Sequence, residues 1–158
     1  MIINTVFLLI AVLFDSRYRK IPNEISYTLF ITNVAWVLAV NNISVKMIIE
    51  IIKWVFIIFI LLNLIIKGYK MGGGDIKLIL ALTPYLKSKT IILCFFILTI
   101  ALAKTILFAV KEEGIKTTFE RIKTEILGLE IYKALDKKYT HNNGALIIFV
   151  SFLLTKII

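Results

Sequence analysis

Two aspartates, Asp15 and Asp75, are the residues of this sequence best suited to chemistry. Asp15 closes the first apolar stretch, and Asp75 follows three consecutive glycines at the start of a later one. Two carboxyl groups that lie close together share one proton and titrate as a unit. The ionised member can then take a proton from water while the protonated member polarises a peptide carbonyl. The pair predicts an aspartic protease in which either aspartate can hold the proton.

The composition indicates an integral membrane protein. The chain of 158 residues is 59% hydrophobic and has a mean hydropathy of +0.92, which is far too apolar for a soluble domain of this size. The apolar stretches are continuous, so they predict an all-α, polytopic membrane protein with about six transmembrane helices in a single domain, 1–158. The first, fourth and sixth are shorter than the roughly 20 residues that span a bilayer. The stretches are 2–14, 25–40, 47–66, 76–86, 91–110 and 145–158.

The distribution of positive charge predicts the orientation. Lys and Arg concentrate in cytoplasmic loops, and segments 15–24, 67–74 and 111–144 hold twelve of them, against four on the other side. We therefore expect a multi-pass protein of the cell membrane, with its N-terminus outside and both aspartates at the cytoplasmic face. The net charge of +9 fits this bias beside anionic lipid, so no nucleic acid partner is expected.

The long polar segment 111–144 predicts a cytoplasmic amphipathic helix between the fifth and sixth spans. Its apolar residues recur at steps of three or four among lysines and glutamates, as in a helix lying on a membrane surface. These residues are Ile115, Phe119, Ile122, Ile126 and Leu129.

The glycines before Asp75 have two interpretations. Glycine lets an extended substrate backbone come close and permits backbone angles closed to other residues, which suits a protease. Alternatively, the glycines form a tight loop in which Asp75 is the N-cap of the following helix. The single cysteine, Cys94, provides no multi-cysteine zinc site, and neither a metal nor another cofactor is expected.

Other charged residues lie within or beside the apolar stretches. Glu50 and Lys53 are three residues apart, and a local ion pair between them is the simplest expectation. Lys104 lies deeper, where it can reach the cytoplasmic headgroups or tune the carboxylate pair.

The two aspartate motifs together resemble those of the type IV prepilin peptidase family and its archaeal preflagellin peptidase relatives, which are membrane aspartic proteases with a Gly-x-Gly-Asp motif. The resemblance covers about residues 5–110. The first motif, Asp-x-Arg-x-x-x-Ile-Pro-Asn, is matched by Asp15, Arg17, Ile21, Pro22 and Asn23, and the second, Gly-x-Gly-Asp-x-Lys-Leu, by Gly72, Gly74, Asp75, Lys77 and Leu78.

The resemblance implies a function and a set of site residues. The expected reaction is removal of the short basic leader from type IV pilin-like or archaellin-like precursors at the cytoplasmic face, with membrane lipids as surroundings. Asp15 and Asp75 would be catalytic. The substrate-binding or active-site loop residues would be Gly72, Gly73, Gly74, Arg17, Asn23 and Lys77.

The larger bacterial members of that family carry an N-terminal cytoplasmic insertion with cysteine pairs and also methylate the new N-terminus. With one cysteine and no room before Asp15, the chain resembles the peptidase-only form, so we expect no methyl transfer.

Two other functions remain open from the residues alone. A small proton-coupled transporter could use the same carboxylates to relay protons, although the sequence offers no further acidic or polar ladder across the membrane. A non-catalytic membrane assembly factor could keep the same fold without cleaving anything.

Overall fold

Six helices form the described part of the chain. The structure is a computed structural model that describes residues 2–41, 43–66, 72–120 and 144–157. In these ranges the chain is all-helical, as predicted, with no strand. The helices are α1 (Ile2–Tyr18), α2 (Asn23–Val40), α3 (Val45–Ile66), α4 (Gly73–Leu86), α5 (Lys89–Glu113) and α6 (Gly144–Ile157).

Within the described residues, each predicted apolar stretch lies in one of these helices, and several helices extend into the flanking polar residues. Helix α1 continues four residues beyond Phe14 to Tyr18, and α4 begins at Gly73 rather than at Ile76. Both aspartates are therefore helical residues. Hydrophobicity marks where a helix meets a polar environment, whereas backbone hydrogen bonds decide where the helix ends.

The number of membrane spans stays a prediction. Among the described residues, one helix, over Lys89–Lys111, is both long and apolar enough to cross a membrane. Helix α6 is apolar but has only 14 residues. At about 1.5 Å per residue, a helix of that length reaches about 21 Å, which is less than a hydrocarbon core of about 30 Å.

Helix α4 is the central element of the bundle. It packs most extensively against α2, and it also contacts α3, α5 and α6. Leu78, Ile79 and Leu82 are fully buried. The Asn33 side chain of α2 donates a buried hydrogen bond of 2.9 Å to the carbonyl of Ala81, which lies in the turn before Pro84. Because α4 is enclosed by its neighbours, its position fixes what its first turn can contact.

The helix ends form two groups. The end of α1 and the starts of α2, α4 and α6 meet at what we call the aspartate end of the bundle, joined by the contacts described in the next section. At the opposite end, Lys87 Nζ lies 3.3 Å from Glu50 Oε2, and Lys156 Nζ lies 2.9 Å from the Tyr85 hydroxyl. The ion pair of Glu50 therefore joins α3 to the residue that follows α4. The expected local pair with Lys53 is wrong, because the turn after α4 brings the Lys87 ammonium group to Glu50.

The beginning of the predicted amphipathic segment is helical. Helix α5 extends to Glu113, and residues 115–120 are helical after Gly114, whose φ of 84° ends α5. Ile115 and Phe119 are 75% and 72% exposed, as expected for the apolar face of a helix that lies on a membrane surface. The other three apolar positions of the prediction, from Ile122 to Leu129, lie outside the described residues.

Candidate active site

Asp15 lies in the last turn of α1. Its backbone carbonyl accepts a hydrogen bond of 3.0 Å from the Arg19 N–H, which closes the final turn, and Arg19 then leaves the helix with a φ of 53°. The side chain is half-buried and belongs to the aspartate end of the bundle. Its Oδ2 atom accepts a hydrogen bond of 3.2 Å from the backbone N–H of Ala145, the second residue of α6.

Asp75 lies in the first turn of α4. Gly72 occupies the N-cap, with φ −64° and ψ 141°, and its carbonyl accepts the Asp75 N–H at 3.0 Å. The alternative in which Asp75 itself is the N-cap is therefore wrong: Asp75 is the third helical residue. From there its carboxylate reaches back to the backbone of Gly72, as an acidic residue at this position of a capping box does.

The surroundings of Asp75 raise the pKa of its carboxyl. Asp75 precedes the apolar stretch 76–86, and its pKa lies at about 6 instead of the ordinary 3.8. Burial and the negative charge of Asp15 raise this pKa, and the hydrogen bond with Gly72 lowers it. Desolvation is the largest cause, and the charge of Asp15 is the second. Asp75 therefore keeps its proton to a higher pH than an ordinary aspartate does, up to about pH 6.

Two contacts join the first motif to the second. Gly74 lies against Ile21, so closely that a Cβ atom on Gly74 would be 3.2 Å from the Ile21 Cβ. Lys77 Nζ donates a hydrogen bond of 2.7 Å to the Asn23 side-chain oxygen. These contacts hold the start of α2 against the start of α4. They explain physically why Ile21, Asn23, Gly74 and Lys77 occur together with the aspartates.

The three glycines differ in what surrounds them. A Cβ atom on Gly73 would meet nothing within 4 Å, whereas one on Gly72 would lie 3.2 Å from Asp75 Oδ2. None of the three has a positive φ; among the described glycines only Gly114 does. The expectation that these glycines supply unusual backbone angles is therefore wrong. Gly74 is needed for space, because α4 enters the bundle directly over Ile21.

The start of α6 is the part of the site that the sequence did not predict. Besides the Ala145 hydrogen bond to Asp15, Gly144 lies directly against the Asp75 carboxylate, and a Cβ atom there would overlap Oδ1, Oδ2 and Cγ. The only sequence signal is a Gly-Ala pair of small residues where the last apolar stretch begins. Nothing in that pair indicates which residues it contacts.

Two of the charged residues singled out in the sequence lie apart from the carboxylates. Arg17 is exposed, and its guanidinium stacks over the Tyr18 ring at 5.5 Å from the ring centre. Lys104 is exposed on α5, and the pKa of Asp75 is set by burial, Asp15 and Gly72. These positions favour a role for Lys104 at the headgroups over one in tuning the pair.

A groove of about 380 Å³ is lined by residues that flank Asp15 in the sequence. It runs over the turn between α1 and α2, and it combines aromatic side chains with charged ones. Glu24 supplies a carboxylate and Lys20 an ammonium. Its lining residues are Phe14, Tyr18, Lys20, Ile21, Pro22, Asn23 and Glu24. Over the described ranges, no three His, Cys, Asp or Glu side chains come together in a group that could hold a metal ion.

The described helices bring Asp15 and Asp75 to one end of the bundle, where the pKa of Asp75 is raised to about 6. The family model described as the type IV leader peptidase family matches residues 2–108. This match spans both aspartate motifs and more than half of the chain, so the protein belongs to the type IV leader peptidase family, as its motifs predicted. Comparison with curated proteins and with solved structures gives no match.

Proposed function

We propose that this protein is a membrane aspartic endopeptidase that removes the short basic leader from type IV pilin-like or archaellin-like precursors. Family membership supports a leader peptidase activity. The observation that carries the assignment of the catalytic pair is that the adjacent residues Gly144 and Ala145 contact the carboxylates of Asp75 and Asp15, respectively. Both residues of the pair belong to the matched region.

The two carboxyl groups have different catalytic roles in this proposal because their surroundings differ. Asp75 is the group with the raised pKa, so it carries the shared proton and donates it to the oxygen of the scissile carbonyl. Asp15 takes a proton from the attacking water, whose oxygen bonds to the carbonyl carbon. As the C–N bond breaks, the proton on Asp15 passes to the leaving amine. A hydroxyl of the intermediate returns a proton to Asp75, leaving a carboxylic acid on the leader and a free amine on the processed protein.

The groove over the turn between α1 and α2 is the proposed binding site for the leader of the substrate. Tyr18 and Phe14 offer apolar contact, and Glu24 can pair with a basic residue of the leader. Asn23 lines this groove and accepts a hydrogen bond from Lys77 of α4, so this side of the groove is held against α4. The apolar helix of the precursor would pack beside the bundle within the membrane, so that the scissile bond enters from the bilayer edge.

The membrane placement rests on the exposed surface of the helices. Large apolar side chains point outward on helices α1, α2, α3 and α5 and give the bundle an apolar perimeter. Leu13, Ile31, Phe56, Phe95 and Leu107 are each more than 60% exposed. The proposal is six spans with the aspartate end at the cytoplasmic face, where the positive charge of the loops concentrates. Without a cysteine-pair insertion in the sequence, we also propose cleavage without methyl transfer.

Exchange of each aspartate for asparagine tests the proposal. Purified protein in detergent micelles is given a precursor with a short basic leader, and the released leader is measured by mass spectrometry. Asp15→Asn and Asp75→Asn should each lower the cleavage rate by at least about a thousandfold, because each removes one proton carrier. Glu50→Gln, the same chemical change at the opposite end of the bundle, should retain the rate.

The same assay separates the alternatives. A proton-coupled transporter or an assembly factor would not cleave the precursor even as the unmodified protein. Cleavage that survives either aspartate exchange would refute the assignment of the pair. Transfer of a labelled methyl group from a methyl donor to the new N-terminus would refute the peptidase-only proposal.

A further inference from the structure

Helix α6 begins at the carboxylate pair, and its first two residues each contact one aspartate. The backbone N–H of Ala145 donates to Asp15 Oδ2 at 3.2 Å. The Cα of Gly144 faces the Asp75 carboxylate, where any Cβ atom would overlap the carboxyl group. Both residues follow the region 2–108 that the family model matches. No motif of the sequence singles them out.

The contact at Gly144 differs in kind from those at the other glycines of the site. At Gly74 an added methyl group would press on Ile21, and at Gly72 it would stand at 3.2 Å from one carboxylate oxygen. At Gly144 it would coincide with both oxygens and the carbon that joins them. The obstructed group is the end of a short side chain with two rotatable bonds. Alanine at 144 can therefore be accommodated only if the Asp75 carboxylate swings away from its present position.

The helix that begins with these two residues is packed into the bundle. Ala145, Ile148 and Phe152 are fully buried, and α6 packs against α1 and α5. A helix fixed along one buried face cannot easily retreat from the carboxylates. Its first-turn N–H groups have no partner within the helix, so the donation from Ala145 to a carboxylate satisfies both groups.

We propose that Gly144 and Ala145 are positioning residues for the catalytic pair. The Ala145 N–H fixes the Asp15 carboxylate by a hydrogen bond. The absence of a side chain at Gly144 leaves room for the Asp75 carboxylate next to the start of α6. This inference rests on the proposed function, since it assigns the residues that hold its two acids in place. It also makes a statement about Asp75 that can be measured without any substrate.

The first test compares Gly144→Ala with Ala103→Ser, which also adds one heavy atom but at an exposed position of α5 outside the site. Gly144→Ala should lower kcat by about a hundredfold, as a displacement of roughly 1 Å at a reacting group does, while KM stays within about twofold. Ala103→Ser should change neither constant. Thermal unfolding in micelles establishes that both variants are folded. If Gly144 had a merely structural role, Gly144→Ala would lower the unfolding temperature and would not lower kcat selectively over KM.

The second measurement follows the carboxyl groups themselves. The chain has three aspartates, Asp15, Asp75 and Asp136, so protein labelled with ¹³C-aspartate gives three carboxyl signals that single Asp→Asn variants assign. In Gly144→Ala the titration midpoint of Asp75 should move from about 6 toward 3.8, because the displaced group loses its burial and its proximity to Asp15. Ala103→Ser should leave the midpoint unchanged. If Gly144→Ala matches Ala103→Ser in this titration, the inference is refuted.

A second pair of variants examines the Asp15 half of the inference. Ala145→Pro removes the N–H in a first helical turn, where proline is tolerated, and Ala145→Gly keeps it. The proline variant should lose at least about tenfold in kcat, and the glycine variant should stay near the unmodified rate. Equal rates for the two would overturn this half. If the unmodified protein cleaves no leader, the proposed function fails, yet the Asp75 titration still decides whether Gly144 positions that carboxyl group.

Discussion

Replacing Asp75 by asparagine should make the protein more stable at neutral pH while it abolishes activity. In the folded protein the pKa of Asp75 is about 6, and in the unfolded chain it returns to about 3.8. Between these values the folded state binds more protons than the unfolded state, so stability falls as the pH rises from 3.8 to 6 and is constant above it. Asparagine imitates the protonated acid and has no such dependence.

The magnitude follows from the difference between the two pKa values. At about 1.4 kcal/mol per pH unit, the span from 3.8 to about 6 corresponds to about 3 kcal/mol of unfolding free energy. The Asp75→Asn variant should therefore exceed the unmodified protein by up to about 3 kcal/mol at pH of about 7, with the gain vanishing near pH 4. Asparagine can still accept the hydrogen bond from Gly72, so the first turn of α4 is kept.

Denaturant-induced unfolding in detergent micelles, followed by circular dichroism over a pH series, measures this difference. Glu24→Gln, an exchange of an exposed carboxylate at the same end, should change the free energy of unfolding by less than about 0.5 kcal/mol at each pH. In Asp15→Asn, the neighbouring charge is absent, so the pKa of Asp75 is lower and stability depends less on pH. An Asp75→Asn variant that is no more stable than the unmodified protein at neutral pH would show that burial does not penalise the charge at this site.

Three further predictions concern the activity and the packing of the site. Cleavage should fall about tenfold per pH unit above about 6, because the acid form of Asp75 is depleted at that rate, and a rate that is flat to pH of about 8 would contradict its role as the proton donor. Gly74→Ala should destabilise the bundle by about 1–3 kcal/mol through its clash with Ile21, whereas Gly73→Ala should be neutral or slightly stabilising in the same thermal unfolding assay. Glu24→Gln should raise KM for a basic leader by up to about fivefold at low salt. At about 1 M salt, where exposed charges are screened, the exchange should leave KM unchanged. An effect on KM that persists at high salt would exclude simple charge pairing.

The local chemistry of the site could be predicted from the sequence because each aspartate lies within a short motif at the end of an apolar stretch. Asp15 and Asp75 are 60 residues apart in the numbering, and only the motif resemblance and the alternation of helices connected them. The roles of neighbouring residues were harder to predict. Gly73 and Gly74 are the same residue type, but Gly73 faces open space and Gly74 faces Ile21. The direction of α4 determines which glycine contacts the bundle.

Contacts between distant segments could not be predicted. Glu50 has a lysine three residues away, but its partner in the fold is Lys87, 37 residues along the chain. Gly144 carries no functional group, so a composition or motif argument cannot find it. Its importance comes from the absence of a side chain at a place where another group needs the space. Such a role becomes visible only when the helices are packed.

The hydrogen bond from Ala145 to Asp15 has a consequence for biosynthesis. Its two partners are 130 residues apart, and at ordinary elongation rates the ribosome needs on the order of ten seconds to make the intervening chain. During that interval Asp15 and Asp75 can already be inserted, but neither has the backbone that holds it. In the proposed mechanism, a nascent chain in this state cannot yet cleave a peptide. The order of synthesis therefore delays peptidase activity until α6 has packed into the bundle.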